Sequence, residues 1–133
     1  MNAKVLPYIN IHTHHAVPDF VVGIRNVFPE DFEGLEHTVK ELPKAYPNYF
    51  SIGIHPWNIK EDNQWHKQLE ILERYITATN FLAVGEAGLD KAITTDIKLQ
   101  TDVFVAQIYL SEQYRKPMII HCVRAYDEIL RIK

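Results

Sequence analysis

The run NIHTHH, Asn10 to His15, puts three histidines into four positions directly after the apolar VLPYI. His12 and His14 are two apart, so in an extended chain both imidazoles point to the same side and can chelate one ion, whereas His15 points elsewhere. A solvent-facing pair at a strand end is the alternative for an HxH taken alone. In AVGEAGLD the acid Glu86 closes an apolar run. A carboxylate buried there costs several kcal/mol unless a cation, a salt bridge or a helix terminus meets it. Asp90 reads as a helix cap or as a group that orients a ligand from behind. His121 closes KPMIIHC, either as a ligand or as a core histidine bonded to backbone.

GIHPW adds His55 and Trp57. Pro56 fixes the turn, so His55 is presented rigidly and suits a hydrogen bond to a substrate phosphate or carboxylate, while the Trp57 indole suits stacking on a base. A turn histidine beside a half-buried indole is the plainer account. Arg124 either binds a phosphate or points to solvent.

These residues need elements to position them. Strands are expected at 6–12, 20–28, 49–55, 81–86 and 117–122, each short, apolar and mostly β-branched or aromatic. Helical periodicity runs over 30–46, where Pro43 ends or kinks the helix, over 62–79 with Trp65, Leu69, Leu72 and Ile76 on one face, and over 96–115. RAYDEILRIK opens another helix. Strands apolar on both faces, alternating with helices, indicate parallel βα units. In such folds chemistry collects at the carboxyl ends of strands. His12, His14, Glu86 and His121 all fall there, and a mixed nitrogen and oxygen set of this kind suits zinc, manganese or a related divalent ion rather than calcium.

Composition narrows the functions. At 133 residues, 47% of them apolar, the chain can bury one core. The net charge of −3 offers no basic surface for wrapping a duplex, which argues against histone-like or repressor-like roles. The lone cysteine, Cys122, precludes an intrachain disulfide. With no signal peptide and no apolar run of about 18 residues, a cytoplasmic protein without membrane contact is expected.

The ordered motifs NIHTH, SIGIHPW, AVGEAGLD, Q-x3-F-x2-Q and KPMIIHCVRA resemble the TatD family of metal-dependent deoxyribonucleases over essentially the whole chain. The resemblance implies an α/β fold, a TIM-type (β/α)8 barrel of the metallo-dependent hydrolase class, present here as an incomplete barrel of about five strands within a single domain, 1–133. It implies one or two divalent ions (Zn, Mn or Mg) and hydrolysis of phosphodiesters in DNA or nucleotide substrates. His12 and His14 would bind one metal, catalytic Glu86 would bridge two, and His121 would bind the second. His55 would sit at the substrate phosphate, Trp57 and Arg124 being the further candidates for substrate contact. Gln100, Phe104 and Gln107 read as packing.

Departures accompany the likeness. Asn10 stands where an aspartate is usual, HCVR replaces HCRE, and Lys91 follows GLD where an aromatic is common. The family continues through three more strands that supply a histidine and an aspartate. The chain is therefore expected to be truncated at its C-terminus, a homo-oligomer closing the incomplete barrel being the alternative. Competing functions are a phosphomonoesterase, a small-molecule amidohydrolase, for which a lysine rather than Glu86 would end the fourth strand, and a catalytically silent partial-barrel interaction module.

Overall fold

The computed structural model describes residues 8–18, 21–32 and 49–132. Five strands, β1 (Tyr8–Thr13), β2 (Val21–Val27), β3 (Tyr49–Ile52), β4 (Phe81–Asp90) and β5 (Met118–Val123), form one sheet in the order β1-β2-β3-β4-β5. Every neighbouring pair is parallel. A doubly wound sheet reverses its strand order at a switch point, whereas this one advances in sequence, as a βα barrel does. Helices α1 (Trp65–Ile76), α2 (Ile97–Gln113) and α3 (Tyr126–Arg131) follow β3, β4 and β5.

The expected helix over 30–46 is represented by a single 3-10 turn, Pro29–Phe32, and the remainder of that segment lies outside the described residues. The strand expected over 49–55 ends at Ile52, since Pro56 opens a second 3-10 turn, Pro56–Asn58. In the other direction, β4 does not stop at Glu86 but runs on to Asp90. Two glycines permit this: a Cβ at Gly85 would stand 2.4 Å from the Ile119 carbonyl oxygen, and one at Gly88 would stand 1.9 Å from that of His121. Only glycine lets β4 lie so close to β5. The pairing skips one residue, Gly85 opposing Ile119 and Ala87 opposing Ile120, so Glu86 occupies a bulge that aims its side chain out of the ladder.

The main core lies between the sheet and α1 and α2. Phe50, Ile52, Phe81 and Val84 from the sheet meet Leu72, Tyr75 and Ile76 of α1 and Val103 and Leu110 of α2. Tyr75 stacks on Phe32 with centroids 4.1 Å apart. Burial of each such side chain contributes about 1.5–3 kcal/mol before the entropy of ordering it is charged. On α1 the apolar face is as expected, with Trp65, Leu72 and Ile76 buried and Leu69 partly buried against the same core, and Gln68 is buried among them. A smaller cluster, Ala87, Leu89, Phe104 and Ala125, fastens the far end of β4 to α2 and α3. The outer strands are less covered, with Ile9 and Ile11 on β1 and Ile120 on β5 exposed. Among the described residues no helix is long and apolar enough to cross a membrane.

Candidate metal centre

The carboxyl ends of three strands, β1, β3 and β5, converge on Glu86 of β4. Its Oε2 lies 3.2 Å from His12 Nε2 and 3.6 Å from His14 Nε2, both from the end of β1. Its Oε1 lies 2.8 Å from His121 Nδ1 on β5 and 3.9 Å from His55 Nε2, just beyond β3. Each carboxylate oxygen thus faces its own histidine pair. The atoms divide into two groups, His12, His14 and Glu86, and His55, Glu86 and His121, each with ligand atoms within 4.8 Å of one another. His12 and His14 do share a side, with ring centroids 4.8 Å apart and edge to face. His15 is held away, its N–H bonded to Thr13 Oγ1.

Hydrogen bonds decide which ring nitrogen each histidine offers. The Trp57 backbone N–H donates to His55 Nδ1 at 3.1 Å, so the neutral His55 ring carries its proton on Nε2 and presents a donor to the site. His121 is the reverse. Its Nε2 lies 3.0 Å from Asp90 Oδ2, and its Nδ1 lies 2.8 Å from Glu86 Oε1 and 3.2 Å from His55 Nε2, so a proton held on Nε2 toward Asp90 leaves the Nδ1 lone pair facing both Glu86 and the His55 N–H. Two acceptors at 2.8 Å repel unless a proton or cation lies between them, and this is the arrangement that a carboxylate-oriented ligand histidine gives. The donor set therefore fits a divalent ion shared by Glu86 and His121, as it fits one at His12 and His14. His12 Nδ1 is buried without a partner among the described residues, so that ring lacks the rear support that His121 has.

The charges agree with this reading. Burial, the largest influence, opposes ionisation of Glu86, but its contact with His121 and the nearness of His55 and His12 outweigh it, and its pKa falls below the ordinary carboxylate value. Burial, followed by the neighbouring His121, lowers the pKa of His55 against the pull of Glu86 and Asp90, which favours the neutral ring. Asp90 is also held below its usual value: burial raises it, and the bonds from Trp57, His121 and Ala92 more than compensate.

Of the two readings of Asp90, the structure supports the orienting group, since Asp96 and not Asp90 precedes α2. Trp57 is largely exposed at the rim, with its indole N–H donating to Asp90 Oδ2 at 2.7 Å. The cleft, about 390 Å³, is lined by His14, Phe28, His55, Trp57, Asn58, Glu86 and His121. Arg124 is exposed and is not among these lining residues. Lys91 pairs with Glu128 of α3, and Asn10 accepts the His12 backbone N–H on Oδ1 at 3.2 Å.

Sequence reasoning passed over two residues here. Phe28 stacks against His14 and meets His55 edge-on. It stands one place past β2, and that position at a strand end was its available signal. Buried Asn26 ties β2 to β3 and β4, donating to Ser51 Oγ at 3.2 Å and to the Gly85 carbonyl, next to Glu86, at 2.5 Å.

A parallel βα sheet of sequential order, with histidines and a carboxylate gathered at the strands' carboxyl ends, is the arrangement of the barrel metallohydrolases. Within that class the family model described as TatD related DNase matches residues 5–133, and the chain belongs to that family. It is 30% identical over 102 residues to an uncharacterized metal-dependent hydrolase of Buchnera aphidicola, covering 72% of this chain and 39% of the relative. It is likewise 30% identical over 95 residues to the 3'-5' ssDNA/RNA exonuclease TatD of Edwardsiella piscicida, covering 68% of this chain and 35% of that one. The chain therefore spans well under half the length of these relatives. The crystal structure of the TatD homolog YJJV from Escherichia coli superposes with a TM-score of 0.66 at 23% identity, over 94% of this chain and 54% of that one, which establishes the incomplete TIM-type barrel.

Proposed function

We propose that this chain carries the two-metal centre of a metal-dependent phosphodiesterase that acts on DNA ends or short single strands. The observation behind the proposal is the placement of Glu86, whose two oxygens face two separate histidine pairs. His12, His14 and Glu86 would hold one ion, and Glu86 and His121 the other, zinc, manganese or magnesium being the candidates. When bound, such ions polarise a phosphoryl oxygen and bring the pKa of a water toward neutrality.

The chain's own residues supply the rest. Glu86 stays ionised at neutral pH and keeps both histidine pairs in register. Asp90 accepts the His121 Nε2 proton and fixes that ring. His55, neutral and protonated on Nε2, donates a hydrogen bond to a non-bridging phosphate oxygen. Trp57 and Phe28 form an aromatic rim on which an unstacked base can lie, a mode of binding open to any base. The net charge of −3 disfavours a long duplex, so a frayed or single-stranded end is the substrate class that fits.

The test is cleavage of an end-labelled single-stranded oligonucleotide with manganese or magnesium, run beside Glu86→Gln and beside a nucleotide monophosphate. Metal-dependent cleavage that Glu86→Gln abolishes supports the proposal. Release of phosphate from the monophosphate with the oligonucleotide left intact would assign a phosphomonoesterase instead, and no turnover of either substrate would count against the chain being catalytic by itself.

A further inference from the structure

Gln68, Gln100 and Gln107 are almost completely buried. A primary amide in that position is costly unless its donors and acceptor are used. Gln100 and Gln107 are seven residues apart on α2, which puts them on one face, about 10 Å apart along the axis. Gln107 Oε1 accepts the Ile54 N–H at 2.7 Å, and its Nε2 donates to the Ile54 carbonyl at 3.2 Å. Gln100 treats Asp90 in the same way, accepting its N–H at 2.8 Å and donating to its carbonyl at 3.0 Å.

Each glutamine thereby makes both bonds that an adjacent strand would make to one residue, and both act past the end of the β3–β4 pairing, Asp90 keeping Val123 of β5 opposite it on its other edge. The pairing of β3 with β4 ends at Ile52 and Val84. Beyond it, Ile54 leads directly into His55, and Asp90 carries the bonds from His121 and Trp57. Filling space needs neither the bidentate geometry nor these two addresses.

We propose that Gln107 and Gln100 are positioning residues that continue the sheet's hydrogen bonding into the candidate centre, Gln107 fixing His55 through Ile54 and Gln100 fixing His121 through Asp90. The metal aspect of this proposal rests on the function proposed above, whereas the positioning aspect does not.

The experiment compares Gln107→Leu and Gln100→Leu with Leu110→Ala, a buried change on the same helix that breaks no hydrogen bond to the site. All are made in the full 133-residue chain. Thermal midpoints report stability, ring nitrogen and proton resonances of His55 and His121 in metal-free protein report positioning, and cobalt(II) titration reports the centre. For comparable loss of midpoint, Gln107→Leu is expected to move the His55 ring resonances, and Gln100→Leu those of His121 together with an about tenfold weaker cobalt affinity. Leu110→Ala is expected to move only the midpoint. Should a leucine variant fail to fold, the Glu variant at the same position keeps the acceptor and loses the donor, and must show the same ring shift in weaker form. Ring resonances unchanged in the glutamine variants, or moved equally by Leu110→Ala, overturn the proposal. Shifted rings in a chain that binds no cobalt would uphold the positioning and reject the metal centre.

Discussion

His121 and Asp90 are joined through Nε2 and Oδ2 at 3.0 Å, and that one bond determines what His121 offers to the rest of the site. A proton held on Nε2 toward Asp90 turns the Nδ1 lone pair toward Glu86 and the His55 N–H. Asp90→Asn removes the negative charge and can place an amide N–H against the imidazole N–H. Cobalt or zinc affinity is then expected to fall by about 10- to 100-fold, the usual cost of losing a group that supports a ligand histidine. Chelator competition measures it, and an affinity equal to that of the unaltered chain, with the fold intact by circular dichroism, would refute the orienting role.

The shared position of Glu86 predicts a stoichiometry. The unaltered chain is expected to take up two equivalents of manganese or zinc, and the pair His12→Ala with His14→Ala, or His121→Ala alone, one equivalent each. Glu86→Ala is expected to hold neither firmly, because its carboxylate belongs to both groups. Calorimetric titration of the four proteins distinguishes these cases. If the His12 and His14 changes abolished all binding while His121→Ala changed nothing, a single ion at β1 would replace the two-metal arrangement.

The candidate site was legible because its residues violate the local pattern: His12, Glu86 and His121 each interrupt an apolar strand with a polar group. The parallel pairing of β2 to β5 followed from βα alternation, since the connections between them are long enough for a crossover, whereas the short segment between β1 and β2 gave no such signal. What stayed hidden depends on contacts between distant segments. The continuation of β4 to Asp90 rests on how closely Gly85 and Gly88 approach β5, which the run of letters does not reveal. Gln100 and Gln107 look like packing on a helical wheel, and only the location of Ile54 and Asp90 shows what they hold. Arg124, suggestive by its place after β5, lies off the cleft, for a residue at a strand end still depends on the backbone direction there.

Away from the centre, Glu30 offers a pH dependence whose sign can be fixed in advance. Burial is the largest influence on its carboxyl and raises its pKa, against the lowering effects of the bond from Gln68, its own backbone and Lys60. The folded state therefore holds the Glu30 proton more tightly than the unfolded chain does. Its favourable contribution is complete below the unfolded pKa and is lost as pH rises through the folded one. Above that range the ionised carboxylate is a burden on the fold, although Gln68 continues to donate to it while also gripping the Asn58 carbonyl at 2.8 Å and the Lys60 N–H at 3.1 Å. Glu30→Gln keeps an acceptor for Gln68 and removes the ionisation. It is expected to raise the thermal midpoint at pH 7 relative to the unaltered chain and to change it little at pH 4. Midpoints recorded across that interval by circular dichroism decide the matter, and a change of equal size at both ends would mean that the carboxylate of Glu30 bears no desolvation cost in the folded protein.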